Sequence, residues 1–370
     1  MLDRAKLEGA FSDAVIKLNT FLDDFTDGFP SSQSEGYVYK SMPNKGWVES
    51  FYTGMLWLAY EQNKDAQYLK YINNQLDSFK HRIDNRIATD THDLGFLYSL
   101  SCVAAYKLTG NMEAKQSAIK AADCLLERWK TKGEFIQAWG SIHDKTMYRL
   151  IIDCMLNLPL LYWAAEVTGD EKYKEIATKH ANTCKSVIIR PDGTTFHTYY
   201  FDPETGAPLK GVTGQGYSDD SCWARGQAWG IYGFTLSYVY TKDVAFIEDY
   251  KRMTDYFIER LPQDSIPYWD LCFTDGDQPR DTSAAAIAIC GILEMSKYID
   301  EPKYLTIADK MLESLIDKYT TKNMPKSNGL LTDGMYARPR GDNPECNIWG
   351  DYYYMEALTR KLNKDWKMYW

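Results

Sequence analysis

Five times along this chain an almost wholly apolar stretch ends in a short polar turn, and a second stretch follows in which apolar positions recur every three or four residues. The instances are residues 54–72, 95–123, 160–181, 230–257 and 291–315. The first member of each pair has the pattern of a helix buried on all sides. The second has one wet face, as Glu171, Lys172, Lys174, Glu175 and Lys179 show for the third pair. An amphipathic N-terminal helix over about 3–22 and a last helix containing 349–362 bring the total to twelve, six inner and six outer. Closed into a ring, these hairpins form an all-α fold, an (α/α)6 barrel or toroid. An open α-solenoid uses the same hairpins but keeps a tighter period. Here the spacing is irregular, and long loops rich in aromatic, Gly and Asp residues intervene at 189–221 and 262–281, where loops of that length usually carry function. Glycine, proline and charge are spread without a linker, so residues 1–370 read as a single domain.

Composition narrows the partners. A net charge of -9 provides no global basic field for nucleic acid or an anionic membrane surface. No apolar run approaches membrane-spanning length. The charged, amphipathic start lacks the pattern of a secretory signal, which predicts an intracellular, cytoplasmic protein. Eight scattered cysteines with no CxxC pair read as core residues of a reducing compartment. Aromatic residues make up 14% of the chain, many beside glycines and polar residues, which leans towards a carbohydrate site where ring faces stack on sugar C–H bonds.

The candidate chemistry comes from aligning the inner helices on their terminal turns. Asp93 lies 17 residues before Gly110, Asp153 lies 16 before Gly169, Trp47 lies 16 before Asn63, and Arg225 lies 17 before Lys242. One end of the toroid therefore collects two carboxylates, an arginine and a tryptophan, which suits acid/base chemistry on an anionic sugar. Asp153 stands in the apolar run 150–156, so burial is expected to raise its pKa and let it deliver a proton. The plainer alternative is a helix cap or a pair with Arg149. Pro159 marks a kink or a helix start, and in the second case Asp153 precedes the helix. Asp93 or Thr91 has an N-cap as its plainer alternative. His197 lies in a loop, which sets it above the other four histidines. HExxH, Walker A, GxGxxG and GxSxG patterns are missing, so neither a metal nor a nucleotide cofactor is expected, nor a serine nucleophile.

Eight segments, in order from about residue 47 to 360, resemble one known family. They are HDLGFLYSLS, IQAWG, IIDCMLNLPLLYWA, FHTYYFDPETG, GQGYSDDSCWARGQAWGIYGF, YWD, RDTSAAAIA and IWGDYYYMEAL. The family is glycoside hydrolase family 88, the unsaturated glucuronyl hydrolases. The resemblance implies an (α/α)6 barrel acting on oligosaccharides whose non-reducing end is a 4,5-unsaturated uronic acid left by a polysaccharide lyase. It implies hydration of the C4=C5 enol ether followed by rearrangement, with Asp153 as general acid/base and Asp93 as second essential aspartate. By the same resemblance Trp139 and Trp229 are ring-stacking platforms, Trp47 and Phe51 line the pocket, and His197, Gln215 and Arg225 contact hydroxyls and carboxylate. Tyr336 falls at the leaving-sugar side, and Trp349 to Tyr354 fall on the last inner helix, mostly as core.

The resemblance departs at 337–346. Relatives that take sulfated glycosaminoglycan fragments have a Ser and Lys pattern there, whereas this chain has Ala337, Arg340 and Asp342. Arg338 and Arg340 offer replacements for the lysine as sulfate or carboxylate partners, whereas an acidic Asp342 opposes an anion, so the resemblance leaves sulfate preference open. Three alternatives stay open: an unsaturated rhamnogalacturonyl hydrolase on pectin fragments, an inverting glycosidase with carboxylates roughly 6.5–9.5 Å apart, and a non-catalytic glycan-binding toroid.

Overall fold

The computed structural model describes residues 2–370. Outer and inner helices alternate along the chain. Arg4–Thr20, Gln67–Asp84, Met112–Leu126, Lys172–Ile188, Ala245–Glu259 and Pro302–Lys318 lie outside. Glu49–Asn63, Pro159–Thr168, Ala224–Thr241, Thr282–Met295 and Ile348–Leu362 lie inside, with a sixth inner rod formed by Leu94–Tyr98, a π-helical turn at Ser99–Val103, and Ala104–Thr109. The last inner helix packs against the first inner and the first outer helix, which closes the ring. This is the (α/α)6 toroid expected from the hairpin pattern. No helix among the described residues is long and apolar enough to cross a membrane.

Burial follows the hydrophobic pattern. Every residue of Thr282–Met295 is buried. In Lys172–Ile188 only the stripe Tyr173, Ala177, His180, Ala181, Cys184, Val187 and Ile188 is buried. Four inner helices end on a left-handed residue, Lys64, Gly110, Gly169 or Lys242, whose N–H bonds back into the last turn. That shared stop explains why counting back from the terminal turns brings residues to similar heights. All eight cysteines are free thiols, and all but Cys272 are buried.

Two features frame the site. A three-stranded antiparallel sheet, Arg149–Ile151, Thr198–Phe201 and Pro208–Val212, lies at one end of the ring, with Ile151 opposite Thr198 and the Ile152 N–H donating to His197 O. At the opposite end the chain's last residues fill the bore. Trp370 stacks on Tyr353 with centroids 5.9 Å apart and planes 7° apart, and its indole N–H donates to Glu356. Around it Arg360 pairs with Glu294 and Glu356, and Tyr232 donates to Glu356. Buried charges need such mutual pairing to be tolerated. The toroid is thereby a cup, open at the sheet end.

Candidate active site

The open end holds a cavity of about 290 Å³ lined by Trp47, His92, Asp93, Trp139, Ile151, Asp153, His197, Gln215, Trp223, Arg225, Trp229, Tyr336 and Arg340. Its key residues sit at the N-terminal ends of inner helices. Trp47 precedes Glu49–Asn63, Asp93 precedes Leu94–Tyr98, and Arg225 is the second residue of Ala224–Thr241. The partial positive charge of those helix ends faces the cavity, which favours an anionic ligand. Asp153 differs from the expected placement on an inner helix. Pro159 starts that helix rather than kinking it, so Asp153 lies in a 3-10 turn, Ile152–Leu156, between the strand Arg149–Ile151 and the helix.

Asp93 occupies the position before its helix, yet its side chain makes no capping bond. Its Oδ2 accepts instead from the Thr91 hydroxyl at 2.6 Å. His92, which the sequence reading ranked below His197, proves central. Its Nε2 lies 3.5 Å from Asp93 Oδ1 and 3.6 Å from Asp153 Oδ1, while Nδ1 is buried without a hydrogen-bond partner. Its signal in the sequence was adjacency to Asp93 in THDLGF. Arg149 does not pair with Asp153; its guanidinium lies over the Trp139 ring.

The electrostatics of the two aspartates diverge, and Asp153 departs from expectation. Burial alone would raise its pKa, but the His92 imidazolium beside it, through its charge and hydrogen bonding, outweighs burial and holds it below the usual carboxylate range. Asp93 is pushed up to about 6 by burial and by the negative charge of Asp153, against the pull of His92. His92 is raised despite burial, because both carboxylates stabilise its imidazolium. His197 goes the other way, down to about 4, through burial. It is a neutral imidazole whose Nδ1 pairs with Thr198 Oγ1 at 2.6 Å and whose Nε2 faces Gln215 Nε2 at 3.4 Å. Accepting from Gln215 places its proton on Nδ1.

Among the described residues, one group has the spacing to hold a metal ion: His92, Asp93 and Asp153, whose ligand atoms lie within 4.8 Å of one another. An imidazolium proton directed at both carboxylates supplies the positive charge that a cation would bring there.

Arg225 lines the cavity but is heavily engaged. Its Nη1 donates to Asp281 Oδ2 at 2.8 Å and to Met335 O, and its Nη2 donates to Gln215 Oε1 and Tyr336 O, both at 2.7 Å. It braces Gln215 and the Tyr336 segment, and Asp281 is the buried counter-charge that the sequence reading did not single out. Trp47 donates from Nε1 to the Tyr336 hydroxyl at 3.1 Å. Phe51, expected to line the pocket, does not. It is fully buried, one turn into its helix, and packs behind Trp47 and Phe96 with centroids 5.9 and 5.4 Å away. Trp229 lines the floor although nearly buried, and Trp139 stands at the rim, 42% exposed. Trp223 and Arg340 complete the wall. The Asp342 carboxylate accepts from the Ala337 N–H and is not part of the lining, so it does not face an incoming anion.

A helical cup with two coupled carboxylates and an aromatic wall is the build of a carbohydrate-active hydrolase. The chain belongs to Glycosyl Hydrolase Family 88, whose sequence profile matches residues 21–368. It is 50% identical over 377 residues to the unsaturated chondroitin disaccharide hydrolase of Streptococcus agalactiae serotype III (strain NEM316), covering 100% of this chain and 94% of that protein. The crystal structure of unsaturated glucuronyl hydrolase from Streptococcus agalactiae superposes with a TM-score of 0.98 at 50% identity, covering 100% of this chain and 95% of that one. A substituted form of that hydrolase, complexed with dGlcA-GalNAc6S, matches with a TM-score of 0.90 at 47% identity, covering 100% and 94%.

Proposed function

We propose that this protein is an unsaturated glucuronyl hydrolase that removes the 4,5-unsaturated uronic acid from lyase-generated disaccharides, chondroitin fragments first among them. The observation that carries this reading is the group His92, Asp93 and Asp153 at the cavity, with ligand atoms within 4.8 Å. That spacing is too short for the roughly 6.5–9.5 Å an inverting glycosidase needs to seat water between its carboxylates. It suits a reaction in which one acid/base serves a planar carbon–carbon double bond.

In this reading residues 1–370 act as one catalytic unit, and the unsaturated ring lies towards the Trp229 floor with its carboxylate near the helix N-termini. Asp153 delivers a proton to C4, and the cation that develops at C5 and the ring oxygen is captured by water, whose proton returns to Asp153. The C5 hemiketal then breaks its C5–O5 bond, and the C1 hemiacetal so uncovered expels the leaving sugar, leaving a keto acid. One water is consumed. The acid must be protonated to begin, and Asp153 in the free protein favours its charged form. The arriving uronate adds a negative charge beside it, which raises its pKa and draws the proton held by Asp93 and His92. Gln215 and neutral His197 contact hydroxyls, Trp47 and Tyr336 bound the ring, and Arg225 acts by fixing Gln215.

The test is ultraviolet absorbance of the purified protein mixed with unsaturated disaccharides from chondroitin, hyaluronan and heparin lyase digests and with pectin-derived fragments. Loss of the conjugated C=C–COO⁻ band on the glycosaminoglycan disaccharides supports the proposal. An unchanged band on every substrate leaves a glycan-binding toroid, and loss on pectin fragments alone leaves a rhamnogalacturonyl hydrolase.

A further inference from the structure

Arg149 is buried, yet it has no carboxylate within ion-pair distance among the described residues, and its Nε and Nη2 lack hydrogen-bond partners. Burying a guanidinium costs free energy that counter-charges and hydrogen bonds normally offset. Here the offset comes from rings. The guanidinium carbon lies 4.0 Å from the centroid of Trp139 and 5.4 Å from that of Tyr200, whose hydroxyl accepts from Nη1. Arg149 also opens the strand that runs into Asp153, pairs there with Tyr200, and receives the Ala138 N–H on its carbonyl. Two residues on, Ile151 lines the cavity, and alternate residues of a strand share a face, so the Arg149 side chain lies on the cavity side.

Trp139 is the one ring of the cavity wall among the large exposed hydrophobics. It stands at the rim, where the sugar attached to a floor-bound uronate must lie. A lone exposed indole on a loop swings between rotamers and loses that freedom when a sugar stacks on it. A planar cation laid on one face removes that freedom in advance and leaves the other face open.

We infer that Arg149 is a positioning residue for the leaving sugar: it fixes Trp139 as a preformed platform and acts on substrate binding rather than on proton transfer. This rests on the function proposed above. The test is steady-state kinetics on the unsaturated chondroitin disaccharide for wild type, Arg149→Met, Trp139→Ala and the double variant. The expected result is a KM raised roughly tenfold by Arg149→Met, within the range of a cation–π contact, with kcat changed less than about twofold. In the Trp139→Ala background the same substitution should raise KM no further, because the two act as one unit. Should Arg149→Met fail to fold, Arg149→Lys keeps a cation without the planar fork and should show a smaller KM rise, again absent without Trp139. An unmoved KM, effects that multiply in the double variant, or a fall in kcat alone would overturn the inference. Wild type inert on every unsaturated disaccharide would remove the functional reading itself, and this inference with it, before any variant is compared.

Discussion

Gly95 faces the backbone of Asn157 with no room between them for a side chain: a Cβ on Gly95 would lie 2.2 Å from Asn157 Cα and 2.3 Å from its carbonyl oxygen. Asn157 in turn accepts from the Phe96 N–H at 2.7 Å and donates to the Asp153 carbonyl at 3.2 Å. The contact sets the spacing between the segment that carries Asp93 and the turn that carries Asp153. Backbone cannot yield as a flexible side chain can. Gly95→Ala is therefore expected to cost roughly 1–3 kcal/mol of stability through overpacking and to lower turnover at least about tenfold by spreading the carboxylates. Urea melts and initial rates check this, and full activity would show that the spacing is not critical.

Asp153→Asn should fold normally and lose turnover by about 10²–10⁴-fold, the usual contribution of a general acid/base. It also removes the charge that raises Asp93, so Asp93 should titrate lower in this variant. Melting curves and rates on the unsaturated disaccharide are the measurements. Substantial residual activity would transfer the role to Asp93.

Proton supply gives a pH dependence with a definite sign. As pH rises through about 6, Asp93 loses its proton, the carboxylate pair becomes doubly charged, and kcat/KM should fall. The His92 imidazolium lowers both carboxylates, so His92→Gln should move this limb to higher pH by roughly a unit. A pH–rate profile of each form decides it, and a limb that stays in place or moves to lower pH would exclude the coupling.

Asp351 provides a stability counterpart away from the chemistry. It is fully buried on the last inner helix, accepts from the Tyr39 hydroxyl at 2.8 Å and the Leu331 N–H at 2.9 Å, and is pushed up to about 7 by burial. The folded state therefore holds a proton that the unfolded state, with a pKa of about 3.9, releases. Its contribution is complete below about pH 4 and is lost as pH rises towards 7. Asp351→Asn should flatten the decline of melting temperature across that window, measured by calorimetry at several pH values.

Much of the fold was legible because burial acts on whole helices. Thr282–Met295 reads as apolar on every side and is buried on every side, and the polar turns at Lys64, Gly110, Gly169 and Lys242 are physical helix stops. That common ending brought Trp47, Asp93, Asp153 and Arg225 to one cavity even though Asp153 is not on a helix. Side-chain direction was less legible. Phe51 and Trp47 are one turn apart, and only packing decides that Trp47 faces the cavity while Phe51 stands behind it. Arg225 carries no sign in the sequence of its partner Asp281, 56 residues away. The field at Asp153 depends on His92, which reaches it from a distant segment of the chain, so an apolar run around Asp153 predicted the wrong direction for its pKa.

Trp370, wedged against Tyr353 at the far end of the bore, leaves the cup with a single doorway. That packing closes the bore around Trp370, so in the proposed reading a polymer enters tip first from the sheet end. With the substrate placed as proposed, departure is ordered: the sugar at the Trp139 doorway goes first, and the keto acid at the floor follows through the space it vacates. Each cycle is a queue of two through one opening.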